Sequence, residues 1–349
     1  MRQHSQSRPH SVRRPLRSAA MLWRSLSLLP LLSMLSMLSQ SALAQSGSAG
    51  SYPDKPVRMV VPQAPGSATD TLARFLQPDL ARQLGQPVVI DNRPGGALVI
   101  GLENVARSPA DGYSIAFAPV GGLAISPNMV ARLPYDVLRD FQPLGLVARG
   151  HMLLAVSPSL PVRNVLELIE YARKNPGKLM NASSGNGTPG QVSGELFKMM
   201  TGTDIVHVPY KGGAQAIADL VAGHVHIMFE SLNSIAPHAR SGKVRPLAVG
   251  SARRSVGFPE IPTMVEAGVA GCEASTWSGV VGPAGMPRPI VDRLNQAINR
   301  AISSPSFLER FKSIGDDPGG GTPEEFGALI KSELAKWAEV IKRSGAKID

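Results

Sequence analysis

Cysteine is almost absent from this sequence: Cys272 is the only one. That excludes an intramolecular disulfide and any metal site built on cysteine. Aromatic residues are scarce at 5%, and no basic run is interleaved with Phe or Tyr. A base-stacking surface needs such interleaving, so nucleic acid is not an expected partner. Long apolar runs are missing too: after Ala44 no segment reaches the roughly 18 residues of a membrane span. The familiar catalytic signatures are also lacking, with no Gly-x-Ser-x-Gly elbow, no His-Glu-x-x-His and no phosphate loop. Gly 35 and Pro 30 together stay under a fifth of 349 residues, below the roughly 25–30% of low-complexity chains.

What remains is a chain long enough for two domains, each with its own core. The net charge of +10 is misleading, because Arg2, Arg8, Arg13, Arg14, Arg17 and Arg24 all precede Ala44 in a stretch without Asp or Glu. Those arginines lead into SLSLLPLLSMLSML and then Ala42-Leu43-Ala44, a small-x-small cleavage site. Residues 1–44 are therefore expected to be a secretory signal, with the mature chain starting near Gln45 and working in the periplasm. Met21 is an alternative start, and Arg13-Arg14 departs from the twin-arginine pattern at Pro15 and Leu16.

Beyond SGSAGSYP, short β-rich runs alternate with helical ones. VRMVV precedes a segment with Leu72, Leu76, Leu80 and Leu84 on one face. PVVID, YSIAFAP, LLAVS, KLMNAS, IVHV and VHIMFE continue the rhythm, which predicts parallel-rich sheets flanked by helices, an α/β fold. Thr322-Pro323-Glu324-Glu325 reads as a capping box opening a helix that Gly345 closes. Extended segments at Val147 to Met152 and Ala274 to Val280 flank a central block. If the chain crosses there twice, residues 45–149 plus 276–349 form one lobe and 150–275 the other.

Two loops follow strands and precede helices, where unpaired N–H groups make anion sites. In VPQAPGSATD, Pro65 and Gly66 turn the chain, Ser67 and Thr69 add neutral donors, and Asp70 sits near the helix start. The plainer alternative is that Thr69 or Asp70 only caps the helix. ASSGNGTPGQ, from Ala182 to Gln191, is uncharged and rich in Gly, hydroxyl and amide groups. Its plainer alternative is ordinary loop chemistry. Tyr210 and Lys211 in VPYKGG, and Glu230 with Ser231, are further candidates. His224 and His226, two apart in an expected strand, share a face but have no third ligand nearby. Neither a metal nor a cofactor is expected. Serine, histidine and aspartate are all present, so a periplasmic hydrolase stays as an alternative.

In order, YPDKPVRMVVPQAPGSATDTLAR, GQPVVIDNRPGG, PADGYS, LPYDVLRDF, NASSGNGTPG, VHVPYKGG and GFPEIPTMVEAG resemble the Bug family of tripartite tricarboxylate transporter solute-binding proteins. The likeness runs from about Tyr52 to Asp349. It implies a two-lobed periplasmic binding protein fold of type II, with two crossing segments and a small organic carboxylate enclosed between the lobes. It also implies a non-enzymatic monomer that docks on integral membrane transporter subunits and needs no nucleotide. The alternative within this reading is a sensor that presents the carboxylate to a kinase. The residues placed at the ligand are Gln63, Pro65, Gly66, Ser67, Ala68, Thr69 and Asp70 from the first loop, and Val120 and Gly121 after the third strand. From the second lobe come Ser183, Ser184, Gly185, Asn186, Gly187, Thr188, Gln191, Tyr210, Lys211 and Glu230. Several depart from the family's usual pattern: Gln63 stands for Phe, Ser67 for Gly, Gln191 for His and Glu230 for Asp. Pro119 and Val120 replace small hydroxyl residues, while Leu98 and Val99 replace Gly and Asn. With Trp277 as another aromatic surface, these apolar changes predict a carboxylate with an apolar or aromatic body.

Overall fold

Strand β1 (Val57–Val61) is the first regular element of the computed structural model, which describes residues 52–255 and 257–345. The expected signal segment and its cleavage site lie outside the described residues. After β1, Ser67 accepts from the N–H of Asp70 and caps α1 (Ala68–Leu84). Leu72, Leu76, Leu80 and Leu84 are all buried, as their spacing predicts. Gly85 ends the helix at a left-handed φ of 73°.

Strand–helix alternation continues through β2 (Val88–Asn92), α2 (Val99–Ala106) and β3 (Ser114–Pro119), and β2 and β3 both lie parallel to β1. The next strand, β4 (Phe141–Val156), is the longest. Then follow α3 (Val165–Lys174), β5 (Leu179–Ser183), α4 (Pro189–Thr201), β6 (Ile205–Pro209), α5 (Gly213–Ala222), β7 (Ile227–Ser231), α6 (Leu232–Arg240) and β8 (Arg245–Val249). The last elements are β9 (Ser275–Pro283), α7 (Arg288–Ile302), α8 (Pro305–Ile314), the short β10 (Asp317–Pro318) and α9 (Pro323–Ser344). Helix α9 opens with the capping box at Thr322 and Glu325 and closes at Gly345.

The sheet runs β2-β1-β3-β9-β4-β7-β5-β6, with β8 and β10 also paired to β4. Parallel strands occupy both ends: β2-β1-β3 on one side and β7-β5-β6 on the other. Between them β9 and β4 are antiparallel, in a register running from Phe141 opposite Pro283 to His151 opposite Ser275. The two extended segments expected from the sequence are thus hydrogen-bonded neighbours, Ala148 opposite Ser278. Strand β4 is near-continuously buried, with α6, α7 and α9 in contact with it. The described residues from Pro53 onward belong to one compact unit.

One expectation is corrected. His224 and His226 lie in the turn before β7, because Gly223, at φ 81°, ends α5 and the chain needs these residues to re-enter the sheet. His226 Nδ1 accepts the N–H of Met180, while His224 faces Asp219.

Candidate functional site

Parallel strands expose unpaired N–H groups beyond their carboxyl ends, where the following helices begin. A cavity of about 370 Å³ lies there, walled by the segments after β1, β3, β5 and β7 and by the start of β9. Of the expected residues, Gln63, Ala68, Thr69, Val120, Gly121, Ser184, Asn186, Gly187, Thr188 and Glu230 line it. Two helix N-termini reach its wall, α1 through Ala68 and Thr69 and α4 through Thr188, Pro189 and Gly190. Their partial positive charge favours an anion without any cationic side chain. Gly190 is required for this approach, since a Cβ there would lie 2.5 Å from the carbonyl oxygen of Phe229 in β7.

Among the remaining expected residues, Asp70, Ser183 and Gln191 brace the two loops without lining the cavity. Asp70 is buried and accepts from the N–H of Gly66 (2.8 Å), from Arg74 Nε (2.8 Å) and from Asn92 Nδ2 (2.9 Å). Burial pushes its pKa up, but the Arg74, Gly66 and Asn92 bonds outweigh that and hold it at about 2. Asn92 Nδ2 also donates to the carbonyl of Gln63, so one carboxylate fixes the whole turn that carries Pro65, Gly66 and Ser67. In the second loop, Ser183 Oγ lies 2.7 Å from His207 Nε2, Gln191 Oε1 accepts from Gly187 N–H at 2.7 Å, and Thr188 Oγ1 donates to the carbonyl of Gly185. Tyr210 donates to Asp219, Lys211 is exposed, and neither lines the cavity.

Glu230 lines the cavity, accepting from Ser184 Oγ and from the N–H of Ser231. Burial raises its pKa, and those two bonds only partly offset the rise. Pro119 and Leu98 are in the wall, whereas Val99 is not. Leu98 and its neighbour Ala97 have φ of 76° and 52°, a left-handed conformation that side chains disfavour. Ser126, Met152, Asn233, Thr276, Ser278 and Asp316 also line the cavity and were not anticipated. Asp316 carries no local signal at all, since it sits in a turn before β10, far along the chain from either loop.

Serine, histidine and aspartate do converge among the described residues: His151 Nδ1 lies 2.6 Å from Ser251 Oγ, and its Nε2 lies 3.2 Å from Asp317 Oδ2. Ser251 is buried and its hydroxyl donates to the carbonyl of Arg253. None of the three lines the cavity, and their bonds link β4, the segment after β8 and β10.

A cavity between two sets of parallel strands, reached by loops from both and bridged by antiparallel crossing strands, is a place for a small ligand to bind. Comparison with known proteins gives the particular family. Residues 72–346 match the model of the "Tripartite tricarboxylate transporter family receptor". BugT of Bordetella pertussis is 37% identical over 88% of this chain and 94% of its own. The solved structure of R. palustris Rpa4515 with adipate is 40% identical, with a TM-score of 0.74 over 85% of this chain and 100% of that one. MatC (Rpa3494) of Rhodopseudomonas palustris, solved with bound malate, is 29% identical, with a TM-score of 0.72 over 83% of this chain and 100% of that one. The chain belongs to the tripartite tricarboxylate transporter receptor, or Bug, family, and its mixed α/β fold is that of the family's periplasmic binding proteins.

Proposed function

We propose that this protein captures a small organic carboxylate in the cavity and delivers it to the membrane subunits of a tripartite tricarboxylate-type transporter. The observation that carries the reading is the meeting of two neutral, hydroxyl-bearing helix starts, Thr69 on α1 and Thr188 on α4, on one cavity. Adipate and malate in the two relatives are both small carboxylates, which supports the ligand class. Residues 45–149 with 276–349 form one lobe and 150–275 the other, and closure bends β4 and β9 where they cross, near Ala148 and Thr276. Closure removes water and strengthens each neutral donor around the bound carboxylate. Residues 1–44 direct export to the periplasm and are removed. The protein acts as a monomer, needs no cofactor and returns its ligand unchanged.

A thermal-shift screen against mono-, di- and tricarboxylates tests this. Ligand at a hundred times its dissociation constant stabilises by about 2.7 kcal/mol, which raises the melting midpoint by several degrees. A panel in which no acid moves the midpoint would sink the proposal, and recovery of a chemically altered acid would reassign the protein as an enzyme.

A further inference from the structure

One wall of the cavity holds a carboxylate that the protein itself leaves unmatched. Asp316 lines the cavity and is 8% exposed, and among the described residues no group donates to its carboxylate. It reaches this position over Gly150, where a Cβ would lie 3.1 Å from its Oδ1 and 2.1 Å from Thr276 Oγ1. A buried carboxylate left without a donor is matched by a ligand group that donates to it.

Resting on the carboxylate-binding reading above, we infer that Asp316 forms a second, specificity-determining subsite for the far end of the ligand. It favours carboxylates whose other end is a neutral donor–acceptor group, a hydroxyl or a carboxamide, and it admits a dicarboxylate only together with one proton. The proton is shared because two carboxylates facing each other in a buried site do not both stay ionised. Burial, and then the neighbouring Asp317, push the Asp316 pKa up to about 7, so the exchange falls near neutrality. The other charged or titratable groups around it are accounted for. Asp317 faces His151 and pairs in register with Arg149, both of β4, and burial keeps His151 below its usual pKa. Glu230, at the end of β7, lines the same cavity and adds negative charge when it ionises.

The test is titration calorimetry with matched acids of equal length, beginning with hexanoate, 6-hydroxyhexanoate and adipate, in buffers of different ionisation enthalpy. Adipate affinity should fall about tenfold from pH 6 to pH 8, with close to one proton taken up per adipate at pH 8. The two monocarboxylates should change by less than about threefold, with the hydroxy acid binding more tightly than hexanoate at both pH values. Asp316→Asn should abolish the adipate slope. Adipate binding that is flat with pH and takes up no proton overturns the subsite, as does an undiminished slope in Asp316→Asn. Those results would leave carboxylate capture standing, whereas failure of every acid in the wider panel removes capture and the subsite together.

Discussion

The two loops that meet on the cavity are held by different means. The first hangs from one ionised carboxylate, Asp70, which takes three donors and through Asn92 reaches the backbone of Gln63. The second is a lattice of neutral bonds among Ser183, His207, Gln191, Gly187, Thr188 and Gly185. Backbone strain is distributed unequally as well. The first loop turns on Gly66 and the second on Gly185 and Gly187, all at positive φ, but beside the first loop the left-handed conformation also falls on Ala97 and Leu98. The comparison teaches that a similar neutral wall can rest on an ionic lock with strained side-chain-bearing turns, or on neutral bonds with glycine turns.

The largest expected effect comes from cutting the ionic lock. Asp70→Asn leaves Gly66 N–H and Asn92 facing a poorer acceptor and removes the pair with Arg74, at a cost of about 2–3 kcal/mol in urea unfolding at pH 7. Gln191→Leu removes one neutral bond to Gly187 and should cost about 1 kcal/mol. The pH dependence follows from the sign of the shift. The Asp70 pKa is depressed from 3.8 to about 2, so its contribution is complete above about pH 4 and lost as pH falls towards 2. The stability gap between wild type and Asp70→Asn should therefore narrow over that window by about 2 kcal/mol. Equal costs for the two variants, or a gap that ignores acid, would break the comparison.

The next effect is smaller and opposite in sign. Glu230 belongs to the second side, and its folded-state pKa is raised by burial. A carboxyl with a raised folded pKa opposes folding once it ionises in the unfolded chain, so the penalty appears above about pH 4.5 and grows until its folded pKa is reached. Glu230→Gln keeps an acceptor for Ser184 and for Ser231 N–H, and should gain stability relative to wild type between pH 5 and pH 8. Parallel melting curves of the two proteins across that range check it. A variant that loses ground as pH rises would show that Glu230 is held as a stabilising anion.

Much of this arrangement was legible in the sequence because its causes are local. The four-residue spacing of Leu72, Leu76, Leu80 and Leu84 and the Thr322–Glu325 box are set within one or two helical turns. The two loops announced themselves because Gly, Pro and hydroxyl residues interrupt apolar strands at VPQAPGSATD and ASSGNGTPG. The pairing of β4 with β9 had no such signal, since Leu146 and Gly279 meet only through tertiary packing, and Gly145 and Gly150 make β4 read as separate pieces. Asp316 was invisible for the same reason: what makes it a wall residue is the absence of a side chain at Gly150 on another strand. Asp70 was legible as a helix-start residue, but its three donors come together only in the fold.

The smallest effect tests the strain half of the comparison. Leu98 holds φ 76°, and its Cδ1 would lie 3.1 Å from a Cβ on Gly121, so its side chain closes part of the cavity wall at a cost in backbone energy. Leu98→Gly loses the packing of a half-buried side chain but relieves about 1 kcal/mol of left-handed strain. The two terms nearly cancel, so the variant should lie within about 1 kcal/mol of wild type, where burial-driven leucine truncations cost about 2–5 kcal/mol. The same change at Leu102, fully buried in α2 where no left-handed strain is relieved, supplies the contrast and should fall in or above that higher range. Gly187→Ala on the opposite side should run the other way, losing about 1 kcal/mol by placing a side chain at φ 75°. If Leu98→Gly proves as damaging as Leu102→Gly, the left-handed turn carries no strain, and the two sides of the cavity differ only in their ionic lock.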